Sequence, residues 1–172
     1  MLERFACEIP IARDGHFRAH EIFNAEQFNM KKICTKIWSS IPFAHRAPKH
    51  DGHCRFIHGH NWVVSAVFAA SVLDENGFVM DFGKLKPFKQ WLDAEFDHSL
   101  VLSSEDGDVC KIVSSVREWA KIRIVSDCSC EGLAELFFKH LIAIVDKQEA
   151  GRVSVVSLTV FEDEKNSATV TL

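Results

Sequence analysis

Residues 33–45 read ICTKIWSSIPFAH and decide the fold, because their apolar positions repeat at the spacing of a β-strand. Five side chains share one parity along this segment: Ile33, Ile37, Ile41, Phe43 and His45. Alternate residues of a strand point to the same face, so this pattern predicts a strand with one buried face. Pro42 fits an edge or a frayed end, and the strand would deliver His45 at its end.

The segments around this strand predict an α+β fold. Residues 47–56 are loop-like, residues 62–72 form a strongly apolar strand, and residues 153–161 and 168–172 are two further strands. Apolar residues at helical spacing predict three helices, with Asp81, Asp108 and Ser129 as candidate caps. The helix after Asp81 is expected to become regular near Lys84, and Gly151 is expected to end the last helix.

This order of elements predicts a four-stranded antiparallel sheet with helices packed on one face. Such a sheet leaves two open edges, which soluble proteins usually blunt or pair with another subunit. We therefore expect the chain to oligomerise.

Composition limits the domain count and the classes of partner. The chain has 172 residues, of which 47% are hydrophobic, so a single domain over residues 30–172 is expected, with residues 1–29 as an extension outside the fold. A net charge of −4 without long blocks of like charge argues against nucleic acid. There is no apolar run long enough for a membrane span, and six cysteines are too few for a disulfide scaffold. A cytoplasmic protein with reduced thiols is expected.

The histidines are the compositional anomaly, since five of the nine lie between His45 and His60. His58 and His60 are two residues apart, so in an extended chain both point to one face, where His45 would meet them. Three imidazoles with an open position are typical of a catalytic zinc site. A closed structural site, with Cys54 as the fourth ligand, is the main alternative, and ordinary loop histidines are the third.

Two further acidic positions are candidates for chemistry. Asp97 and His98 end the first long helix and could form part of a proton relay, although a histidine at a helix C-terminus is also favourable by itself. Glu162 directly follows an apolar strand. An acid at a strand end is usually solvated, so this position carries little weight alone.

Together these segments resemble the family of 6-pyruvoyl-tetrahydropterin and 6-carboxytetrahydropterin synthases. The resemblance rests on five motifs: residues 43–46 (FAHR), 54–61 (CRFIHGHN), 77–82 (GFVMDF), 96–98 (FDH) and 160–162 (VFE). It runs from about residue 33 to residue 172, interrupted at 103–127, where an extra helix looks like an insertion. The three residues between Cys54 and His58 favour the carboxy-forming branch.

The resemblance implies a tunnelling-type fold, in which trimers close a barrel and pair into a homohexamer with sites between subunits. It implies a lyase that holds Zn²⁺ with His45, His58 and His60 and takes 7,8-dihydroneopterin triphosphate, a small pterin, as substrate. The products would be 6-carboxy-5,6,7,8-tetrahydropterin, acetaldehyde and triphosphate, in queuosine biosynthesis. The pyruvoyl-forming reaction and a non-catalytic, zinc-stabilised assembly module remain the alternatives.

The resemblance also implies roles for individual side chains. Cys54 would be the thiolate base, with Asp97 and His98 as its proton relay. Glu162 would bind the two-donor edge of the pterin ring. Residues 128–132 (CSCEG) depart from the family's usual segment at this place, but Ser129 keeps its hydroxyl and Glu131 its carboxylate, so both are candidate substrate contacts.

Overall fold

The computed structural model describes residues 30–172, so the predicted extension over residues 1–29 lies outside the described part. Within these residues, six strands and three helices follow one another. They are β1 (Lys32–His45), β2 (His58–Ala70), α1 (Lys86–Glu95), β3 (Ser99–Ser103), α2 (Val109–Val116), β4 (Lys121–Val125), α3 (Cys130–Glu149), β5 (Ser154–Phe161) and β6 (Ser167–Thr171). Short 3₁₀ turns lie at His53–Arg55 and Phe82–Leu85.

The six strands form one mixed sheet in the order β4-β3-β1-β2-β5-β6. The four predicted strands β1, β2, β5 and β6 are neighbours and antiparallel. The prediction of only four strands is wrong, because β3 and β4 extend the sheet in parallel beyond β1. All five residues of β3 are buried, so this short strand lacks the alternation by which a strand is recognised in a sequence.

A β-bulge in β1 changes which of its side chains are buried, so part of the predicted buried face is wrong. Ser40 has a φ of 61°, and the pairing with β2 shifts between Trp38 and Ile41. One extra residue in a strand moves the following side chains to the other face. Ile41, Phe43 and His45 are therefore buried as predicted, whereas Ile33 and Ile37 are exposed and Trp38 takes the buried position.

Of the three predicted caps, Ser129 and Asp81 cap through their side chains, whereas Asp108 precedes α2 without a capping hydrogen bond from its side chain. The Ser129 side chain accepts a hydrogen bond from the Gly132 amide and caps α3 as predicted. Asp81 caps the 3₁₀ turn that precedes α1, so regular α-helix begins at Lys86, two residues later than expected. Ala150 and Gly151, both with positive φ, end α3.

Helices α1 and α3 cover one face of the sheet and bury one apolar core with it. Trp62 lies at its centre, fully buried, and its indole N–H donates to the carbonyl of Phe43 at 3.2 Å. On the other face the side chains of β2, such as Val63 and Ser65, are only half-buried. No helix within residues 30–172 has the length and apolar character needed to cross a membrane.

The C-terminus of α3 is held by a buried ion cluster that yields a stability prediction. The Glu149 carboxylate lies 2.9 Å from Lys84 Nζ and 2.6 Å from Arg152 Nη2, and its side chain is 3% exposed. Burial would raise the pKa of Glu149, but the bonds to Lys84 and Arg152 outweigh it and lower that pKa. The stabilisation is therefore present above the carboxyl's unfolded pKa and is lost as the pH falls through the lowered folded pKa.

Glu149→Gln is expected to lower the free energy of unfolding at pH 7 by about 1–2 kcal/mol, since bonds to charged groups are lost and Lys84 is partly solvated. The difference from wild type should vanish in acid, where the carboxyl is protonated in both states. Urea unfolding at pH 7 and at an acid pH below the lowered folded pKa of Glu149 measures both values. An equal loss at both pH values would contradict the role of the charge.

Candidate metal centre

Four side chains meet at one end of the sheet: His45, His58, His60 and Glu162. Each offers one ligand atom, and these atoms all lie within 4.8 Å of one another. The structure thus brings the three histidines predicted as metal ligands together, and it adds Glu162 to their group.

Strand register explains why the four side chains converge. His45 pairs with His58 across β1 and β2, and Phe43 pairs with His60. His58 and His60 alternate along β2, so both point to the face that also holds buried Trp62. The β2–β5 register places Phe161 opposite Val63, so Glu162 follows at the same end of the sheet.

Two backbone carbonyls orient the imidazoles. His45 Nδ1 lies 2.8 Å from the Cys128 carbonyl, and His58 Nδ1 lies 2.8 Å from the Phe56 carbonyl. A carbonyl only accepts, so each Nδ1 carries a hydrogen, and in the neutral imidazole Nε2 is then the nitrogen with the free lone pair. Burial lowers the pKa of His45, which favours the neutral form that a metal needs.

The residues fit a metal ion. His45 Nε2 and His60 Nε2 are buried and have no hydrogen-bond partner within residues 30–172. Glu162 Oε1 lies 3.1 Å from His45 Nε2 and 3.3 Å from His60 Nε2, so a carboxylate oxygen lies beside both nitrogens. A divalent cation between these atoms would satisfy all of them. Imidazole nitrogens with a carboxylate oxygen are a donor set that zinc accepts.

Cys54 lies outside this ligand group. It is exposed on the 3₁₀ turn His53–Arg55, within the loop that joins β1 to β2. The Cys54 carbonyl accepts a hydrogen bond from the Ala47 amide at 2.7 Å, which closes the loop at its base. Among the described residues it is an oxygen of Glu162, and not the thiol of Cys54, that lies beside the three imidazoles.

Asp97 and His98, the residues predicted as part of a proton relay, are in contact with each other. Asp97 Oδ2 lies 3.0 Å from His98 Nδ1. His98 has a φ of 55°, and its amide donates to the Pro42 carbonyl at 2.7 Å, which fixes the pair beside β1. The His98 side chain is 80% exposed, and neither residue belongs to the four-membered ligand group.

The segment before α3 shapes the start of that helix. The Ser129 hydroxyl serves as the helix cap, and Glu131 is exposed in the first turn. A Cβ on Gly132 would lie 2.5 Å from the Asp127 side chain, so this turn requires glycine. The Cys130 thiol donates to the Val160 carbonyl, and burial raises its pKa to about 11, so it is a packed thiol rather than a ligand.

A cavity of about 690 Å³ opens beside the metal centre. It is lined by His60 and Glu162 together with side chains on the helix-free face, among them Ile37, Asn61 and Phe161. This volume suits a drug-sized or cofactor-sized molecule. The sequence did not predict this cavity, because the bulge in β1 is what places Ile37 on the helix-free face.

Sequence reasoning also missed Asp106 and the Cys128 carbonyl. Asp106 is buried against Arg46, and the Cys128 carbonyl orients His45. The run of acidic residues at 105–108 is a weak signal for Asp106. A backbone carbonyl leaves no signal in a sequence.

The sheet, its helices and the histidine group define a pterin-synthase type of protein, and a comparison with family models agrees. Residues 34–172 match the model described as 6-pyruvoyl tetrahydropterin synthase. The chain belongs to this family.

Curated relatives match part of the chain. A 6-carboxy-5,6,7,8-tetrahydropterin synthase of Rickettsia typhi is 40% identical over 72 residues, which are 41% of this chain and 52% of the relative. An Aquifex aeolicus protein of the same name is 27% identical over 119 residues, 67% of this chain and 74% of the relative. The match spans about half the length of the Rickettsia relative.

Solved structures share the fold. An uncharacterized protein from Wolinella succinogenes has a TM-score of 0.71 at 18% identity and covers 83% of this chain and 98% of its own. The 6-pyruvoyl tetrahydropterin synthase of Caenorhabditis elegans has a TM-score of 0.58 at 21% identity, with coverages of 83% and 96%. At these identities the likeness concerns the fold alone.

Proposed function

We propose that the chain is a zinc-dependent 6-carboxy-5,6,7,8-tetrahydropterin synthase. It converts 7,8-dihydroneopterin triphosphate and one water molecule to 6-carboxytetrahydropterin, acetaldehyde and triphosphate, a lyase step of queuosine and 7-deazaguanine synthesis. The observation that carries this proposal is the meeting of three imidazoles with Glu162 beside an open cavity, while Cys54 stays outside the ligand group.

His45, His58 and His60 would hold the zinc ion. Three neutral ligands leave the metal its full charge, and a bound zinc would supply Lewis-acid polarisation of a substrate oxygen. The carbonyls of Cys128 and Phe56 keep two of these imidazoles in the ligating tautomer.

The remaining side chains divide the proton chemistry and the recognition. Cys54 removes a carbon-bound proton as its thiolate, and the exposed turn that carries it leaves the sulfur accessible. His98 carries the proton onward, oriented by Asp97 at 3.0 Å. Glu162 lines the cavity and accepts the pterin's two ring donors. Ser129 and Glu131, at the start of α3, are proposed as weaker substrate contacts.

The active assembly is proposed to be a homohexamer built from two trimers. β3 pairs with β1 only at Phe43 and Ala44, so the outer edge of β1 before Phe43 has no partner strand within residues 30–172. β6 is the opposite edge of the sheet. Pairing β6 of one chain with β1 of the next would close a barrel and cover Ile33 and Ile37. It would also let a neighbouring chain bring Asp97 and His98 to the zinc. Light scattering of the purified chain tests the hexamer.

The product distinguishes this proposal from the pyruvoyl-forming reaction. The three-residue spacing between Cys54 and His58 favours the carboxy-forming branch. Purified protein loaded with zinc is incubated with 7,8-dihydroneopterin triphosphate, and the products are identified by mass. Acetaldehyde with carboxytetrahydropterin supports the proposal. Pyruvoyltetrahydropterin replaces it with the alternative enzyme, and no turnover leaves a zinc-stabilised assembly module.

Glu162→Gln separates a pterin anchor from a zinc ligand. An amide cannot accept both ring donors, so we expect substrate affinity to fall about tenfold or more, while zinc content and the thermal midpoint stay close to wild type. Binding of substrate and zinc per chain are measured in parallel. Loss of zinc from the variant would show instead that Glu162 is a required ligand.

A further inference from the structure

Asp106 is a buried acid in residues 103–127 that the proposed mechanism leaves unused. Its side chain is 2% exposed, and its Oδ2 lies 3.1 Å from Nε of Arg46. Both atoms are buried and form no hydrogen bond within residues 30–172, so the ion pair between them is the contact that compensates their charges there. A buried charge is costly unless it is compensated, so each of these two groups depends on the other.

Asp106 also fixes the turn before α2. Its Oδ1 accepts a hydrogen bond from the Asp108 amide at 2.9 Å, and its carbonyl accepts from the Val109 amide. The carboxylate therefore has one oxygen for its own segment and one for Arg46. The segment that includes α2 and β4 is thereby attached to the end of β1.

Arg46 stands at the junction of two parts of the site. It follows His45, and its carbonyl accepts from the Cys128 thiol at 3.2 Å, while the Cys128 carbonyl accepts from His45 Nδ1 at 2.8 Å. On its other side, the Ala47 amide donates to the Cys54 carbonyl at 2.7 Å and closes the loop that carries the thiol. A fixed Arg46 side chain thus constrains both a metal ligand and the Cys54 loop.

We propose that Asp106 is a positioning residue, which holds Arg46 so that His45 and the Cys54 loop keep their places at the metal centre. The proposal rests on the proposed function for what the site does. The contacts on which it depends exist without any substrate, so it can be tested whether or not the chain turns over a pterin.

The main competing role concerns Arg46 itself. Arg46, Lys49 and Ser129 line a second cavity of about 350 Å³, and a cation there could bind a phosphate of the substrate. In that case Arg46 would act on substrate binding, and Asp106 would only neutralise it. If Arg46 and Asp106 position the site, their substitution lowers zinc affinity and kcat. If Arg46 binds a substrate phosphate, its substitution raises KM.

The experiment compares the full chain with three variants: Asp106→Asn, Arg46→Lys and, as a control, Asp108→Asn. Asp106→Asn keeps the shape of the side chain but removes its charge. Arg46→Lys keeps a cation and leaves Asp106 in place, so it provides the test if the first variant does not fold. Asp108 is two residues from Asp106 and forms an exposed ion pair with Lys111. Removing its charge should therefore leave zinc affinity and Cys54 labelling unchanged.

Zinc affinity is measured by chelator competition, and iodoacetamide labelling of Cys54 is followed by peptide mass spectrometry, with Cys34 as an internal reference. We expect Asp106→Asn and Arg46→Lys to lower zinc affinity and kcat by about 10–100-fold, to change the Cys54 labelling rate, and to leave KM within about twofold. Unchanged zinc affinity and labelling in both folded variants would overturn the proposal. A raised KM with unchanged zinc affinity would overturn it in favour of phosphate binding.

If the wild-type chain has no pterin turnover, the proposed function fails, while zinc affinity and Cys54 labelling still decide the role of Asp106.

Discussion

Cys54→Ala is expected to abolish nearly all turnover while zinc, assembly and substrate binding persist. The thiol lies on an exposed turn outside the four-membered ligand group, so its removal deletes no donor atom from that group. Removing a general base typically lowers the rate by about 10²–10⁴-fold, which corresponds to roughly 3–5 kcal/mol of barrier. The loss should therefore appear in kcat rather than in metal content.

Zinc per chain, thermal midpoint and turnover are measured together for wild type and Cys54→Ala. Cys110→Ala is the matched control, because Cys110 is also an exposed thiol but lies on α2. The control should keep full activity. Zinc lost together with stability in Cys54→Ala would mean that the sulfur is a ligand, and the proposed mechanism would fail.

The sequence predicted the parts of the fold that have a long, regular pattern. Strands β1, β2, β5 and β6 and the three helices follow from periodicity, and the start of α3 follows from its Ser129 cap. The antiparallel order of these four strands follows from the chain order. Strand β3 was not predicted, because a five-residue strand buried on both faces has the same pattern as any short apolar run. The bulge at Ser40 was not predicted, because a serine in the sequence does not indicate a positive φ.

The candidate metal centre was predictable to the extent that it is encoded in local spacing. His58 and His60 share a face of any extended chain, and His45 meets them because β1 and β2 are sequential antiparallel strands. Predicting that Glu162 lies close to the imidazoles would have needed the β2–β5 register. Predicting the Arg46–Asp106 pair would have needed a contact between residues 60 positions apart in the chain. Such long-range contacts cannot be read from the pattern of one segment.

The second large effect is expected for His58→Ala, which removes one of three imidazoles. Changes to groups that only orient a ligand typically cost 10–100-fold in metal affinity, so loss of the ligand itself should cost more than about 100-fold. At a zinc concentration about 1,000 times the wild-type Kd, bound metal stabilises the fold by about 4 kcal/mol, and a 100-fold weaker site keeps only about 1.4 kcal/mol of this.

His58→Ala should therefore unfold at a lower temperature than wild type when zinc is present, and at nearly the same temperature when a chelator removes the metal. His58 is only half-buried, so little packing is lost with it. His140→Gln is the control, because His140 lies outside the ligand group and stacks on Trp91, with 3.9 Å between the ring centroids. Its zinc-induced stabilisation should match that of wild type. An unchanged zinc response in His58→Ala would contradict the three-histidine centre. A lost response, together with the retained response of Cys54→Ala, assigns the metal to the imidazoles and leaves the thiol free for proton transfer.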